Sequence, residues 1–285
     1  MKLDEMFASI GAAGWGAVSY EKLLPHMDRA AREKAEQLCP HAATVLVAAF
    51  PYYAGPRPGN LSLYARGMDY HLVLLHRLEK AVDLLREEMP HAVFVPGADN
   101  SPLPEREAAW QAGLGLKGEN GLVILPPYGS WIFLGTILTD HVFPVAAKAP
   151  SPPCARCGKC ISACPGGALS AGGFRLDRCL SHLTQKKGEL PPAEKALVTA
   201  HPLIWGCDRC QTVCPYNAGA AHSPLPEFRE GLVDTLTAHD LEGLTNRQFR
   251  ETYGQRAFAW RGPAPLRRNL EWKKQMERKR EENER

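Results

Sequence analysis

The sequence of 285 residues lacks the features that mark several classes of protein. It has no run of about eighteen apolar residues, the length at which a segment becomes a candidate membrane-spanning helix. Its first residues begin an amphipathic helix and not the apolar segment of a secretory signal, so we expect a cytoplasmic protein without membrane association. The net charge of +3 is too small to indicate a partner by itself. The composition is that of an ordinary soluble chain, long enough for one large or two smaller hydrophobic cores.

The charge is unevenly placed along the chain. From Arg256 to Arg285 there are ten Lys or Arg residues against five Glu residues. A basic end of this kind indicates either an anionic partner or a plain solvated helix.

Cysteine is the informative residue type, because eight of the nine cysteines fall between residues 154 and 214. The first run is Cys154-Ala-Arg-Cys157-Gly-Lys-Cys160-Ile-Ser-Ala-Cys164-Pro165, which has the ferredoxin spacing C-x2-C-x2-C-x3-C-P. The second run is Cys207-Asp-Arg-Cys210-Gln-Thr-Val-Cys214-Pro215, and Cys179 lies between the two. Disulfides are disfavoured because reducing conditions keep intracellular thiols free. A zinc site would leave the fourth cysteine and the following proline unexplained. The spacing therefore predicts iron–sulfur clusters.

The assignment of ligands follows from two-cluster ferredoxins, in which the fourth cysteine of one run ligates the cluster of the other. One [4Fe–4S] cluster is assigned to Cys154, Cys157, Cys160 and Cys214, and the other to Cys179, Cys207, Cys210 and Cys164. Twenty-seven residues (180–206) separate Cys179 from Cys207, where a ferredoxin has two. This insertion indicates that the segment does more than carry electrons. The ninth cysteine, Cys39, is interpreted as a small buried apolar residue.

Hydrophobic periodicity predicts a mixed helix and strand fold before the cysteines. Helices are predicted over residues 3–12, 28–38, 70–88 and 104–111, and strands over residues 44–50 and 91–95. Residues 121–125 and 131–138 are predicted to pair as a β-hairpin. The pattern indicates an α/β (α+β) layer domain.

The proline-rich stretch at residues 145–153 is the best candidate for a domain boundary. We therefore predict a first domain over residues 1–148 and a ferredoxin-like two-[4Fe–4S] domain over 149–222. A short helical C-terminal segment is predicted over 223–285.

Several further motifs resemble those of one known protein family. They are Asp99-Asn-Ser101-Pro-Leu-Pro-Glu105-Arg106, Ala112-Gly-Leu-Gly115, Asn120, Tyr128-Gly-Ser130, Cys207-Asp208-Arg-Cys210-Gln211, Trp260-Arg261-Gly262 and Arg268-Asn269. Together with the twin cysteine runs, they resemble the epoxyqueuosine reductase family from about Arg32 to Asn269.

The resemblance implies a function in tRNA modification. Members of the family remove the epoxide oxygen of epoxyqueuosine at the wobble position to give queuosine. It also implies two [4Fe–4S] clusters and base-off cobalamin, with cob(I)alamin fed by electrons from the clusters. The cluster of Cys154, Cys157, Cys160 and Cys214 would lie beside the corrin, and the other would face an external low-potential electron donor. The implied partner is a tRNA with a GUN anticodon, and we expect a monomer.

Asp99 matches the position of the proton donor in the family, and it is also a predicted cofactor contact. It follows a predicted strand, in a turn of the kind that carries functional side chains on a rigid scaffold. Such an acid requires a pKa raised by burial against the corrin and the substrate, because an exposed Asp is ionised at neutral pH. The alternative is that Asp99 is a turn residue or the N-cap of the next helix.

Other positions match cofactor contacts in the family: Arg32, Ser62, Val123, Leu134, Ser181, Asp208 and Arg209. Arg32 is equally interpreted as a solvated helix residue, and Val123 and Leu134 as core residues. Tyr70 and His71 are conspicuous polar residues at the start of an apolar helix, for which a packed Tyr and a capping His are the alternatives. The resemblance implies no protein histidine on the cobalt.

Lys187, Arg247 and Arg261 are the predicted tRNA contacts, because basic side chains position nucleic acid through its phosphates. The sequence departs from the family at Lys117-Gly-Glu-Asn120, where the positive charge is displaced. It also resembles a short form without the C-terminal helical repeats that help longer members hold tRNA.

Two other functions remain open on the sequence. One is a cobalamin-dependent reductase of a small molecule, similar to reductive dehalogenases, although those usually carry a twin-arginine signal that this sequence lacks. The other is a two-cluster electron carrier without a corrin, for which the roughly 150 residues before the first cluster are hard to justify.

Overall fold

The computed structural model describes residues 2–143 and 149–283. The chain divides into two compact units, each made of separate stretches of sequence. The first comprises Met1–Ala54, Tyr70–Cys157 and Tyr216–Pro226, and the second comprises Gly55–Asp69, Gly158–Pro215 and Glu227–Arg285. The predicted boundary after residue 148 falls at residues 144–148, which lie outside the described residues. The division into three consecutive domains stays a prediction.

The first unit combines an antiparallel sheet with helices. Its strands are β1 (Gly14–Ser19), β2 (Thr44–Pro51), β3 (Phe94–Gly97), β4 (Leu116–Lys117), β5 (Val123–Ile124) and β6 (Ile132–Thr139). Its helices are α1 (Leu3–Ser9), α2 (Arg29–Leu38), α3 (Tyr70–Glu88) and α4 (Glu105–Gln111). The four-stranded sheet has the order β1-β2-β6-β3, and β4 pairs with β5 separately.

Strand β2 lies at the centre of the core, since all eight of its residues are buried. It pairs with β6 along its whole length, from Thr44 opposite Thr139 to Pro51 opposite Ile132. A continuous apolar run is typical of a strand that is covered on both faces. The prediction of a buried strand over residues 44–50 is therefore confirmed.

Helices cover the two faces of this sheet. Val45, Val47 and Ala49 of β2 belong to one apolar cluster with Ala108 and Ala109 of α4. The alternate residues point the other way, because side chains change face at each step along a strand. On that second face α3 packs against β3 and β6.

Gly135 of β6 allows α3 to approach the sheet closely. A Cβ atom at Gly135 would lie 2.8 Å from Leu78 Cδ1 of α3, closer than side chains pack. The predicted helix over residues 70–88 coincides with α3, and the predictions at 28–38 and 104–111 correspond to α2 and α4. β3 begins three residues later than predicted.

The predicted hairpin of residues 121–125 and 131–138 is wrong. β6 pairs with β2 along its whole length and, on its other edge, with β3 at residues 136–139. β5 pairs instead with β4, and only an isolated bridge from Leu125 to Gly129 joins the two sides of the turn. Apolar periodicity identified the strands but not their partners.

The second unit is largely helical. Its helices are α5 (Lys159–Ser162), α6 (Leu180–Leu183), α7 (Pro192–Ala200), α8 (Arg209–Thr212), α9 (Ala238–Leu241), α10 (Asn246–Tyr253) and α11 (Ala264–Asn283). A short hairpin joins β7 (Leu169–Ser170) to β8 (Gly173–Phe174). Leu180, Leu183, Leu190 and Val198 form a local core, against which Trp272 of α11 packs.

Capping boxes start two of these helices. The Thr237 hydroxyl and the Asp240 side chain pair reciprocally at α9, and Thr245 and Gln248 do so at α10. Each box satisfies two backbone N–H groups that a helix start leaves open. The helical C-terminal segment is confirmed, as is the mixed helix and sheet class. Among the described residues, no helix is both long enough and apolar enough to span a membrane.

Candidate active site and cluster-binding segment

Asp99 lies directly after β3, on a turn with an unusual backbone. Its φ angle is 58°, in the left-handed region that few residues other than glycine adopt. Its backbone N–H donates a hydrogen bond to Glu105 Oε1 at 2.7 Å, which ties the turn to the first residue of α4. The N-cap of α4 is Pro104, so Asp99 does not cap this helix. A strained backbone of this kind persists where surrounding contacts hold it, and such positions cluster at active sites.

The carboxylate of Asp99 is held by the first turn of α3. The Tyr70 hydroxyl donates to Asp99 Oδ2 at 2.8 Å, and His71 Nε2 lies 3.1 Å from the same oxygen. The Tyr70 ring stacks on Phe133 with centroids 4.3 Å apart, so its position is fixed by packing. Tyr70 and His71 are thus partners of Asp99, beyond the packing and capping roles considered from the sequence.

The protein contacts of Asp99 lower its pKa, and the expected rise on burial against a corrin and a substrate stays a prediction. The hydrogen bond from His71 is the largest influence and lowers the pKa of Asp99, and it outweighs the desolvation of the carboxyl group. The side chain is also 59% exposed. The Asp99 carboxylate is therefore ionised at neutral pH, and a proton donor here must first receive a proton.

Glu105 behaves in the opposite way, and its role was not found from the sequence. Burial raises the pKa of Glu105 to about 8, despite the hydrogen bond that it accepts from the Asp99 backbone. Ser101 Oγ lies 3.5 Å from Glu105 Oε1. Two neighbouring carboxyl groups with opposite pKa shifts are typical of acid–base sites. The motif contained Glu105, but its burial depends on tertiary packing.

A cleft of about 300 Å³ opens beside this turn. Apolar groups from α2, α3 and the sheet line it, and its polar members are Lys34, His71, Asn100, Ser101 and Thr136. Its size is at the lower end for ligand pockets, and its walls combine apolar surface with a few polar groups, as ligand pockets do.

The cofactor contacts predicted in the first unit have other roles in the structure. The Arg32 guanidinium donates to the carbonyls of Leu24 and Met27 and so satisfies the end of the preceding 3-10 turn. Val123 is buried in the apolar cluster, and Leu134 packs against it. The core alternative therefore describes both residues, while their contact with a cofactor stays a prediction.

Ser62 and Asp208 of the second unit pair with each other. Ser62 is completely buried, and its hydroxyl donates to Asp208 Oδ1. The backbone N–H of Leu63 donates to Asp208 Oδ2 at 2.9 Å. Burial raises the pKa of Asp208. In this arrangement Ser62 presents no surface to a cofactor, so of the contacts predicted in the second unit Ser181 and the exposed Arg209 keep accessible side chains.

The structure places four predicted cluster ligands near one another within the second unit. Burial raises the pKa of Cys207 to about 11, and the neighbouring thiols Cys179 and Cys164 contribute. The same two cysteines act on Cys210, whose pKa burial raises to about 12. Cys164 Sγ accepts a hydrogen bond from the Ala168 N–H at 3.2 Å. Such bonds to sulfur help set the reduction potential of iron–sulfur clusters.

No three His, Cys, Asp or Glu side chains of the described residues converge as ligands of a single metal ion. Cysteines around a [4Fe–4S] cluster stand farther apart, because each one binds a different iron atom. Cys154 Sγ accepts a hydrogen bond from the Glu119 N–H at 3.3 Å, so a ligand of the other predicted cluster also has a backbone donor. The donor set is thus chemically suited to clusters. Cys39 is buried as predicted, and burial raises its pKa to about 11.

The predicted tRNA contacts lie in the second unit. Arg247 forms an exposed ion pair with Glu251 one turn along α10, at 2.8 Å. Lys187 is exposed in the loop after α6. The Arg261 guanidinium lies over the ring of Trp260, 3.7 Å from its centroid.

Two family models match the chain. Residues 32–97 match a model described as Epoxyqueuosine reductase QueG, DUF1730. Residues 153–217 match the 4Fe-4S double cluster binding domain, and this range contains all eight predicted cluster cysteines. The segment therefore belongs to a domain that binds two [4Fe–4S] clusters.

Several similar sequences and solved structures carry the same name, epoxyqueuosine reductase. An epoxyqueuosine reductase of Bacillus cereus is 36% identical over 266 residues, which are 88% of this chain and 69% of the relative. A relative of the same name from Bacillus anthracis is 40% identical over 75% of this chain, and the match spans only 56% of its own length.

Two solved structures are also similar over 95% of this chain and 79% of their own. One is an epoxyqueuosine reductase with an epoxyqueuosine-modified tRNA-Tyr stem loop, with a TM-score of 0.79 and 28% identity. The other is a Bacillus subtilis epoxyqueuosine reductase whose aspartate-bearing catalytic loop is swung out of the active site, with a TM-score of 0.77 and 28% identity.

Proposed function

The chain belongs to the epoxyqueuosine reductase family, and we propose that it reduces epoxyqueuosine at the tRNA wobble position to queuosine. The observation that carries the proposal is the 36% identity to a relative of that name along 88% of this chain. The structure adds an ordered Asp99 site, with Tyr70 and His71 on its carboxylate. The rival functions, a reductase of small molecules and a simple electron carrier, are not favoured by these relatives.

We propose that the cysteine-rich segment supplies the electrons. One cluster is held by Cys154, Cys157, Cys160 and Cys214, and the other by Cys164, Cys179, Cys207 and Cys210. The latter cluster receives electrons from an external low-potential donor. Cobalamin, when bound, supplies the cobalt centre for reductive opening of the epoxide. Among the predicted contacts, Arg32, Asp99 and Arg209 have exposed side chains and Ser181 is half-buried, so these residues are open to such a group.

Asp99 is the proposed proton donor to the departing oxygen. Its carboxylate is ionised in this structure, so we propose that it acts together with His71 as a hydrogen-bonded pair. Tyr70 and the tie to Glu105 hold Asp99 in position. The aspartate-bearing catalytic loop of the Bacillus subtilis relative supports a catalytic role for an aspartate in this family.

The tRNA proposal is supported by the stem-loop complex of a relative. We propose that Lys187, Arg247 and Arg261 contact the phosphates of a tRNA with a GUN anticodon, and that the chain acts as a monomer in the cytoplasm. Arg247 would exchange its partner Glu251 for a phosphate. Basic contacts of this kind weaken steeply with added salt.

A reconstituted assay tests the proposal. The chain is purified without oxygen, loaded with iron, sulfide and cobalamin, and given a reductant and tRNA carrying epoxyqueuosine. We expect nucleoside analysis to show queuosine formed in proportion to enzyme and time. Chain without cobalamin is the control and should form none. Absence of queuosine with chain that contains both clusters and cobalamin would refute the proposed reaction.

A further inference from the structure

Trp260 is an exposed aromatic residue on a well-anchored turn. Its side chain is 58% exposed, whereas the three residues before it (257–259) are buried. They form a short 3-10 turn, and α11 begins four residues after Trp260. The backbone below this tryptophan is therefore fixed while its ring faces solvent. An indole ring exposed in this way offers a large apolar face for contact with another molecule.

A hydrogen-bond chain fixes the orientation of the ring. The indole Nε1–H of Trp260 donates to Gln185 Oε1 at 3.0 Å. The amide nitrogen of Gln185 donates in turn to the Tyr64 hydroxyl at 3.0 Å and to the Ser181 carbonyl at 2.7 Å. Gln185 thus has its own partners on two other segments. The hydrogen bond to this anchored amide therefore fixes the orientation of the Trp260 ring.

Arg261 adds a positive charge to this ring. Its guanidinium lies 3.7 Å from the ring centroid, which is a close cation–π contact. Its Nε atom is buried and has no hydrogen-bond partner among the described residues, so the stacking contact accounts for its position. Because Arg261 covers one face, the exposed area of Trp260 belongs to the other face and the edges.

A second arginine shapes the neighbouring loop. The Arg268 guanidinium donates to the carbonyls of Lys186 and Gly188 at 2.7 and 2.6 Å. Lys187 lies between these two residues and is exposed. Through Gln185, the same loop is joined to Trp260. An aromatic face, a stacked guanidinium and an exposed lysine are thus connected within one part of the second unit.

We propose that Trp260, backed by Arg261, is a stacking platform for an unpaired base of an RNA. Aromatic rings and guanidinium planes are the groups on which proteins stack unpaired bases, and nearby cations hold the phosphates. The positive charge beside the ring favours an anionic ligand over an apolar protein surface. The inference rests on the proposed function in that the RNA is the tRNA substrate, and it goes further by assigning a residue to one of its loop bases.

RNA binding by the cluster-loaded chain tests this platform. The probes are a labelled unmodified anticodon stem loop and a fully paired RNA duplex with the same number of phosphates. The variants are Trp260→Ala and Trp260→Phe, with Phe174→Ala as the matched control. Phe174 is an aromatic residue of β8 in the same unit and is 52% exposed. Affinities are measured by fluorescence anisotropy, and iron content and circular dichroism check each variant.

We expect Trp260→Ala to weaken stem-loop binding roughly 5- to 150-fold, the effect of losing one stacked base. Trp260→Phe should keep most of the affinity, and Phe174→Ala should match the unchanged chain. On the paired duplex all four proteins should bind alike. Equal binding of the stem loop by Trp260→Ala and Phe174→Ala would overturn the platform. An equal loss on both RNAs, or failure of the unchanged chain to bind the stem loop, would overturn it as well.

The reductase assay separates this inference from the function on which it rests. Stem-loop binding that depends on Trp260, with no queuosine formed, would keep the platform and refute the reaction. Queuosine formation, with a stem-loop affinity that does not change in Trp260→Ala, would support the reaction and refute the platform. In the latter case we would infer that the exposed ring contacts a protein surface and not an RNA base.

Discussion

The Asp99 site and the cysteine-rich segment prepare their chemistry in opposite ways. At Asp99, hydrogen bonds from α3 lower the pKa of the carboxyl group, so the protein alone stabilises its charge. At Cys207 and Cys210, burial raises the thiol pKa values to about 11 and 12, so the protein alone disfavours their charge. Thiolates bound to metal gain their stabilisation from that metal. The comparison teaches that the first site is preorganised by protein contacts, whereas the second is completed by its clusters.

Removal of one cluster ligand should have the largest effect. In Cys210→Ser we expect iron to fall from about eight to about four atoms per chain, because a [4Fe–4S] cluster needs its four thiolates. Queuosine formation should stop. Iron analysis and the visible absorbance spectrum provide the measurement.

The matched control for this change is Cys39→Ala. Cys39 is buried in the first unit and has no assigned cluster, so its substitution should leave the iron content unchanged. Full iron content in Cys210→Ser, or equal loss in both variants, would contradict the ligand assignment.

Replacement of the proposed proton donor should come next. Asp99→Asn keeps the shape of the side chain but removes its acid–base function, and we expect queuosine formation to slow by roughly 10²- to 10⁴-fold. Iron content should stay the same, since the change does not touch the cysteines, and cobalamin should still bind because Asn keeps the shape of the side chain. Single-turnover rates measure the effect.

Asp83→Asn on α3 serves as its control, because Asp83 is 73% exposed and contacts only Arg86 among its ion pairs in the described residues. Its rate should equal that of the unchanged chain. An Asp99→Asn variant of normal rate would remove Asp99 from the mechanism.

The smallest expected effect concerns Glu105 and the dependence of stability on pH. The pKa of Glu105 rises on folding from 4.5 to about 8, so between these pH values the folded state binds a proton that the unfolded state does not. The unfolding free energy should therefore fall as the pH rises from about 5 to 8. In Glu105→Gln this loss should disappear, a difference on the order of 1 to 3 kcal/mol at pH 8.

Denaturant titrations at pH 5, 6.5 and 8 measure this change. Glu33→Gln on α2 is the control, since Glu33 lies on the surface in an ion pair with Arg29, and it should follow the unchanged chain. Identical pH dependence in Glu105→Gln and the unchanged chain would show that Glu105 is not the group responsible.

The helices and strands that could be predicted from the sequence are those whose apolar pattern lies within one short segment. The apolar run at residues 44–50 and the periodicity of residues 70–88 predict β2 and α3 because burial patterns repeat with the period of each structure. The hairpin of residues 121–138 failed because apolar periodicity does not specify which strands pair: β5 pairs with β4, and β6 pairs with β2 and β3. Asp99 was predicted through resemblance, while its lowered pKa was not.

The sequence by itself determined the presence of two iron–sulfur clusters and the family, because short cysteine spacings and motif residues are properties of neighbouring positions. Only the tertiary structure decided the partners of those residues. Tyr70 reaches Asp99 across 29 positions, and Gln185 reaches Trp260 across 75. Hydrogen bonds of this range, and the burial that raises the pKa of Glu105, exist only after distant segments have packed together. The charge at Asp99 and the orientation of Trp260 are therefore consequences of folding.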